Sequence, residues 1–138
     1  MTGIFSLAVH ALVYLEHRGE TVSSETLAEN ICTNPSRVRK VMALLRDAGL
    51  VETREGRRGG GYRFALDPNR VTLREIGEAL DVRFVASAWR SGDPEKPCLI
   101  ASGMAGVMDA LYAKMDEQCH RQLAQITLAD VSRQVMQR

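Results

Sequence analysis

Residues Thr33 to Leu66 read TNPSRVRKVMALLRDAGLVETREGRRGGGYRFAL, and this stretch decides the fold. Thr33 is the expected N-cap, and Pro35 suits the first helical turn, where a missing N–H costs nothing. Val38, Val41, Met42, Leu45 and Ala48 recur at helical spacing and define one apolar face. At about 100° per residue, Ser36, Lys40 and Ala43 point the opposite way, flanked by Arg37 and Arg39. Gly49 stands where a helix C-cap stands. Val51–Arg54 and Tyr62–Leu66 then read as two strands. The turn between them, Glu55-Gly56-Arg57-Arg58-Gly59-Gly60-Gly61, makes a β-hairpin with a cationic tip.

A helix with a small basic free face, followed by an arginine-tipped hairpin, suits a DNA duplex. The helix can enter the major groove, and an arginine on a slim loop can reach phosphates or the minor groove. Between Thr33 and Arg63 eight basic residues face three acidic ones, a net of +5 in a chain whose total is +1. From Glu75 onward seven basic and nine acidic residues give −2. Charge concentrated on the proposed reader is the footprint of polyanion binding. The alternative is a winged-helix interaction module whose basic face binds an acidic protein partner. Salt dependence and sequence preference separate the two.

Outward from this stretch, Ile4, Leu7, Ala8, Ala11, Leu12 and Leu15 mark a first helix over roughly 2–17. Phe5, Val9 and Val13 make its other side apolar as well, so it must be covered on more than one face. His10 and His17 read as polar-edge residues. Thr21-Val22-Ser23 can add a short strand to the hairpin, and Ser23 or Ser24 caps a second helix. Asn30–Asn34 is the turn into the reading helix. Two helices around such a turn form a helix-turn-helix, and the hairpin makes it winged.

Thr72 and Glu75 form a capping box for the next helix. Phe84–Pro97 reads as a linker whose Trp89 packs against a neighbouring helix. From about Ser102 a long helix carries an apolar stripe of Met104, Val107, Met108, Leu111 and Met115, with Cys119 at its edge. Such a stripe has little of its own chain to pack against, and pairing with a second copy solves this. Thr127 caps a last helix with Val131 and Val135. The expected fold is mainly α with a small β-wing (α+β). Residues 1–82 form the winged helix-turn-helix, 83–101 a linker and sensor loop, and 102–138 the dimerisation helices. A two-fold dimer predicts an inverted-repeat operator.

No apolar run reaches the 18–20 residues or so of a membrane span, and no secretory signal stands at the start. The cytoplasm is the expected compartment. Cys32, Cys98 and Cys119 are an odd set without a CxxC pair, which argues against a disulfide-stapled domain. Cys32 and Cys119 read as buried small hydrophobes, and Cys98, after Pro97, as the candidate sensor thiol. Cys119 and His120 are adjacent, poor geometry for one metal. Gly59-Gly60-Gly61 is followed by a strand rather than Lys-Ser/Thr and a helix, so it is no nucleotide cradle. With Cys98 as nucleophile, His120 as base would have to arrive from across a helix of roughly five turns with no residue to orient it, and no enzyme is expected.

Several segments resemble the Rrf-two (BadM-like) family of bacterial transcription regulators. They are Leu27-Ala28-Glu29, the Asn34–Leu50 helix running out through Ala48-Gly49-Leu50-Val51, the run Arg57–Arg63, Asp67-Pro68 through Val71-Thr72-Leu73, and Ile126–Asp130. The resemblance spans roughly residues 2–131. It implies a winged-helix homodimer on palindromic promoter DNA, usually a repressor. Carried over by position, Ser36, Arg37, Arg39 and Lys40 face the major groove, and Arg57 and Arg58 the wing's groove or phosphates. Ser24, Thr33 and Tyr62 complete the DNA-contacting set. Many relatives hold an iron–sulfur cluster through three cysteines, often C-x5-C-x5-C. Here only Cys98 lies in that region, with Gly92 six residues before it and Met104 six after. One thiolate is too few for a cluster, so the chain resembles the cluster-less branch and no cofactor is expected.

Overall fold

The computed structural model describes residues 3–56 and 60–137. Its elements run α1 (Gly3–Arg18), α2 (Ser24–Ile31), α3 (Pro35–Asp47), β1 (Glu52–Arg54), β2 (Gly61–Arg63), α4 (Leu73–Ala79), α5 (Leu99–Leu123) and α6 (Leu128–Met136). Mostly helical with a two-stranded antiparallel wing, this is the expected fold class.

α1 is the centre of the molecule. Leu7, Ala8, Ala11, Leu12 and Leu15 are buried, and α2, α3, α4 and α6 all pack around it. That arrangement answers its all-round apolar surface. One flank stays open, a groove of about 670 Å³ between α1 and α6 lined by Phe5, Val9, Val13, Tyr14, Val131 and Val135. α3 turns Val38, Val41, Met42 and Leu45 into the same core. Burying each such side chain is worth about 1.5–3 kcal/mol, so packing rather than propensity holds α3 in place.

β1 and β2 pair with Glu52 opposite Arg63, Thr53 opposite Tyr62 and Arg54 opposite Gly61. The short strand expected at 21–23 is a single bridge from Val22 to Tyr62. Thr72 and Thr127 each carry a complete capping box, the second closed by Asp130. These two caps also form a bridge, with Leu73 N–H donating to Ile126 O (2.9 Å) and Leu128 N–H to Val71 O (2.8 Å). α6 is thereby tied to the start of α4.

The chain departs from the sequence reading in several places outside α3: β2 ends at Arg63 rather than Leu66, Cys119 is half-buried rather than buried, and three further differences follow. α5 begins at Leu99, three residues before the expected Ser102. Cys98 is its N-cap, and Pro97 blocks any earlier start. Trp89 is 75% exposed rather than packed on a helix. Polar contacts hold its segment along α5, Arg90 pairing with Asp109 at 2.6 Å and Asp93 N–H donating to Ala101 O at 2.9 Å, while the indole faces solvent. Cys32 is exposed rather than buried, because it ends α2 with a left-handed φ of 65° and the turn carries its thiol away from the core.

α5 joins the winged unit through its C-terminal half. Asp116 accepts the backbone N–H groups of Phe84 (2.6 Å) and Val85 (3.0 Å), and its other oxygen lies 3.3 Å from His120 Nε2. His120 packs on Phe84, and Phe84 on Phe5 of α1. Arg74 of α4 reaches Glu117 at 3.0 Å. The stripe along the rest of its surface leaves Met104, Val107, Leu111 and Met115 exposed and Met108 half-buried. Among the described residues no helix is long and apolar enough to cross a membrane.

Candidate nucleic-acid interface

The N-cap of α3 is Asn34, not Thr33. Its side chain accepts the Arg37 N–H at 2.8 Å, with Pro35 in the first turn. Asn and Thr are both capping residues, and position decides between them. Thr33 still belongs to the turn, where its N–H satisfies Ala28 O at 3.0 Å.

With one face of α3 buried, Ser36, Arg37, Arg39 and Lys40 are all left exposed. They do not behave alike. An added Cβ on Gly3 would sit 3.1 Å from Arg37 Nη2, so that guanidinium rests beside the start of α1. Arg39 crosses to α2, where its Nη1 donates to Ser24 Oγ at 3.3 Å and lies 3.7 Å from Glu25 Oε1. Ser36 and Lys40 stay on the open face. Ser24 is buried at the first turn of α2, whose N-cap is Ser23.

The wing completes the surface. Val22 N–H donates to Tyr62 O and Tyr62 N–H to Val22 O, each at 2.8 Å. This double bond fixes the hairpin against the α1–α2 connection. A cleft of about 530 Å³ results between α2, α3 and the wing, with Ser24, Glu25, Arg39, Arg46, Arg54 and Tyr62 among its lining residues. Burial pushes the Tyr62 hydroxyl above its ordinary pKa, against the opposing charges of Arg39 and Arg46 and with a small contribution from Glu25. Arg57 and Arg58 lie outside the described residues.

Of the nominated residues, Ser24, Arg39 and Tyr62 thus meet at one cleft, with Ser36 and Lys40 on the adjoining face. Arg46, Arg54 and Glu25 were missed as site residues. Arg46 follows Arg39 by seven positions, two helical turns on the same face, and that spacing is a signal in the sequence. Glu25 has none, since only the fold brings α2 to α3.

Cys98 and the α5 stripe lie apart from this surface, in the linker and on the dimer-candidate helix. Cys98 is the N-cap residue of α5, and its side chain makes no capping hydrogen bond. The free N–H groups of Ala101 and Ile100 nevertheless favour its thiolate and hold the thiol below its ordinary pKa, against a small opposing effect of burial.

A family model described as Rrf2, iron-dependent transcriptional regulator, matches residues 1–134. A Bacillus subtilis (strain 168) protein named as an HTH-type transcriptional regulator, YwnA, is 26% identical over 126 residues, covering 91% of this chain and 92% of that protein. The crystal structure of a transcriptional regulator from Lactobacillus plantarum superposes with a TM-score of 0.85 at 27% identity, over 98% of this chain and 91% of that one. The structure of T. potens IscR shares the fold at 23% identity, with a TM-score of 0.68 over 98% and 87% of the two chains.

The family description names iron, and the thiols here do not fit an iron–sulfur cluster within one chain. Cys98 and Cys119 stand toward opposite ends of α5, roughly 30 Å apart at 1.5 Å per residue, and Cys32 lies just past the end of α2. No three His, Cys, Asp or Glu side chains converge on a metal position among the described residues. What the winged helix-turn-helix, its basic cleft and the match over nearly the whole chain establish together is that the chain belongs to the Rrf2 family of DNA-binding transcriptional regulators.

Proposed function

We propose that the protein is a homodimeric, cytoplasmic repressor that reads an inverted-repeat operator. Residues 1–82 bind DNA, 83–101 carry the sensor segment and 102–138 pair the protomers. The observation that carries this reading is the Val22–Tyr62 bridge, which sets the wing beside the free face of α3 and gathers Ser24, Arg39 and Tyr62 at one basic cleft. Ser36, Arg37, Arg39 and Lys40 address the major groove. Arg57 and Arg58 on the wing address phosphates or the adjoining groove.

Two apolar surfaces remain open on one protomer: the α5 stripe of Met104, Val107, Met108, Leu111 and Met115, and the α1–α6 groove. A second copy is the partner that would cover both without further components. Cys98 is the proposed control point. Its thiolate sulfur attacks one oxygen of hydrogen peroxide, the O–O bond breaks, and the departing hydroxide takes up the proton the thiol had released and leaves as water. The resulting sulfenic acid then condenses with a second thiol, losing water again, and shifts the dimer geometry.

The test is selection of bound duplexes from a random pool, followed by salt titration. A specific reader enriches a palindromic motif and outcompetes random DNA by about 10³ or more. Its affinity falls by about 0.9 log unit per log unit of salt for each phosphate contact. Equal binding to any polyanion, without enrichment, would instead support an acidic protein partner.

A further inference from the structure

Resting on the reading of α3 as a base-reading helix, we infer that Glu25 is a specificity-determining residue. With Ser24 it holds the Arg39 guanidinium toward one base-pair edge and keeps it off the phosphates.

Three contacts form a closed set. Arg39 Nη1 donates to Ser24 Oγ at 3.3 Å, Ser24 Oγ lies 3.3 Å from Glu25 Oε2 as donor, and Glu25 Oε1 is 3.7 Å from Arg39. Ser24 and His120 are the two buried polar residues among those described, so the hydroxyl at the middle of this set has a fixed position. Glu25 occupies the first turn of α2, where the helix dipole favours a negative charge. Its carboxylate is nevertheless exposed, on the surface that meets a polyanion. A carboxylate there weakens binding to every duplex. A carboxylate that opposes every duplex can still sharpen the choice among them, by restraining the cation that reads the bases.

Of the other cations at the cleft, Arg46 pairs with its chain neighbour Asp47 on α3 at 3.2 Å and not with a carboxylate from α2. Among the described residues Lys40 and Arg54 pair with no carboxylate, so each can follow a phosphate wherever it lies. Arg39 is different. A guanidinium reads guanine O6 and N7 as a rigid fork, and a fork held in advance loses less freedom on binding. The Glu25 pair is exposed and therefore weak enough for a base edge to compete with it. Once released from Glu25, the same side chain is long enough to turn to the backbone, where it adds affinity and no information.

The experiment compares full-length wild type, Glu25→Gln, Arg39→Ala and the double variant, by selection from a random duplex pool and by salt titration on a mixed-sequence duplex. Glu25→Gln keeps the shape and removes the charge at an exposed position, so folding is preserved. In the wild type one symmetric pair of positions is expected to favour guanine at least about tenfold, since one good bidentate contact carries that much discrimination. Glu25→Gln should reduce this preference to below about threefold at that pair alone. Its salt slope should steepen by about one unit, because the released Arg39 then neutralises a phosphate. Arg39→Ala should lose the same base preference, and Glu25→Gln should change nothing further in that background.

Unchanged base preference in Glu25→Gln overturns the inference, even if its affinity for all sequences rises together, because Glu25 is then only a repelling charge. Loss of preference at a different position from Arg39→Ala overturns it as well. If wild type itself enriches no motif, the DNA-reading function fails first. That outcome is visible before any variant is compared.

Discussion

Val22 and Tyr62 exchange both of their backbone hydrogen bonds, 2.8 Å in each direction, and so fasten the wing to the start of the helix-turn-helix. Gly61 makes the approach possible. Its φ is +144°, and a Cβ there would lie 2.2 Å from Val22 O and 2.9 Å from Ser23 Cα, both backbone atoms that cannot step aside. Gly61→Ala is expected to lose about 2 kcal/mol of stability, or roughly 6–10 °C in melting midpoint. Its DNA affinity should fall further than the lost stability explains. Thermal denaturation followed by a mobility-shift titration checks both, and an unaltered midpoint would refute the close-approach argument.

Asn34 rather than Thr33 caps α3, and the two alanine variants should differ accordingly. Asn34→Ala removes the acceptor for Arg37 N–H and is expected to cost about 1 kcal/mol. Thr33→Ala should stay within about 0.5 kcal/mol of wild type. Urea unfolding of both proteins decides the matter, and the reverse order would return the cap to Thr33.

The Asp116 carboxyl responds to opposing influences. Burial pushes its pKa up, but the N–H groups of Val85 and Phe84, with the nearby positive ends of His120 and Arg83, outweigh this, and the net direction is down. A carboxyl held below its ordinary value contributes stability that is complete above about pH 4 and is lost as pH falls through the depressed value. Asp116→Asn should therefore cost about 2 kcal/mol at neutral pH, typical of a hydrogen-bonded charge. The gap from wild type should narrow toward pH 3. Asp67 and Asp130 are also depressed, by Asn69 and Thr127 hydrogen bonds respectively, and are common to both proteins. Chemical denaturation across pH 3–7 is the measurement, and a gap that widened in acid would contradict the assignment.

Cys98 should be the first thiol to react. The N–H groups of Ala101 and Ile100 favour its thiolate, whereas Cys32 donates its thiol hydrogen to Glu29 O at 3.7 Å and Cys119 is half-buried. Brief iodoacetamide treatment near pH 7.5, read by peptide mass spectrometry, should label Cys98 several-fold faster than Cys32 and leave Cys119 last. Equal labelling of Cys98 and Cys32 would remove the basis for a sensor at this position.

Leu111 stands mid-stripe on α5 and is 47% exposed in one protomer. If the stripe pairs with its own copy, Leu111→Glu buries a charge in an apolar seam. Self-association should weaken at least about 100-fold, some 2.7 kcal/mol, while the circular dichroism spectrum stays unchanged. Sedimentation at several concentrations tests this. Wild type that remains a monomer throughout would defeat the dimer proposal without any variant.

Local features were readable in the sequence. The Thr72–Glu75 box, the buried Val38, Val41, Met42 and Leu45 face, and the hairpin around the glycine run each depend on residues a few positions apart. The Asn34 cap was missed by one position because adjacent Thr and Asn carry the same chemistry, and only the backbone angles choose between them. Asp116 with Phe84, and Arg39 with Ser24, join residues 32 and 15 positions apart, so neither pair leaves a local mark. The exposed Trp89 was misread for the same reason: polar contacts at Asp109 and Ala101 fix its segment, and hydrophobicity had no say.

α5 is clamped to the winged unit at Asp116, Glu117 and His120, while its start at Leu99 lies 17 residues away. At 1.5 Å per residue that length is roughly 25 Å, so a pivot of about 5° at the clamp would sweep the tip by roughly 2 Å. The clamp works as the fulcrum of a lever. If Cys98 is the control point proposed above, a change of about 2 Å at that tip would correspond to only a few degrees at the clamped end.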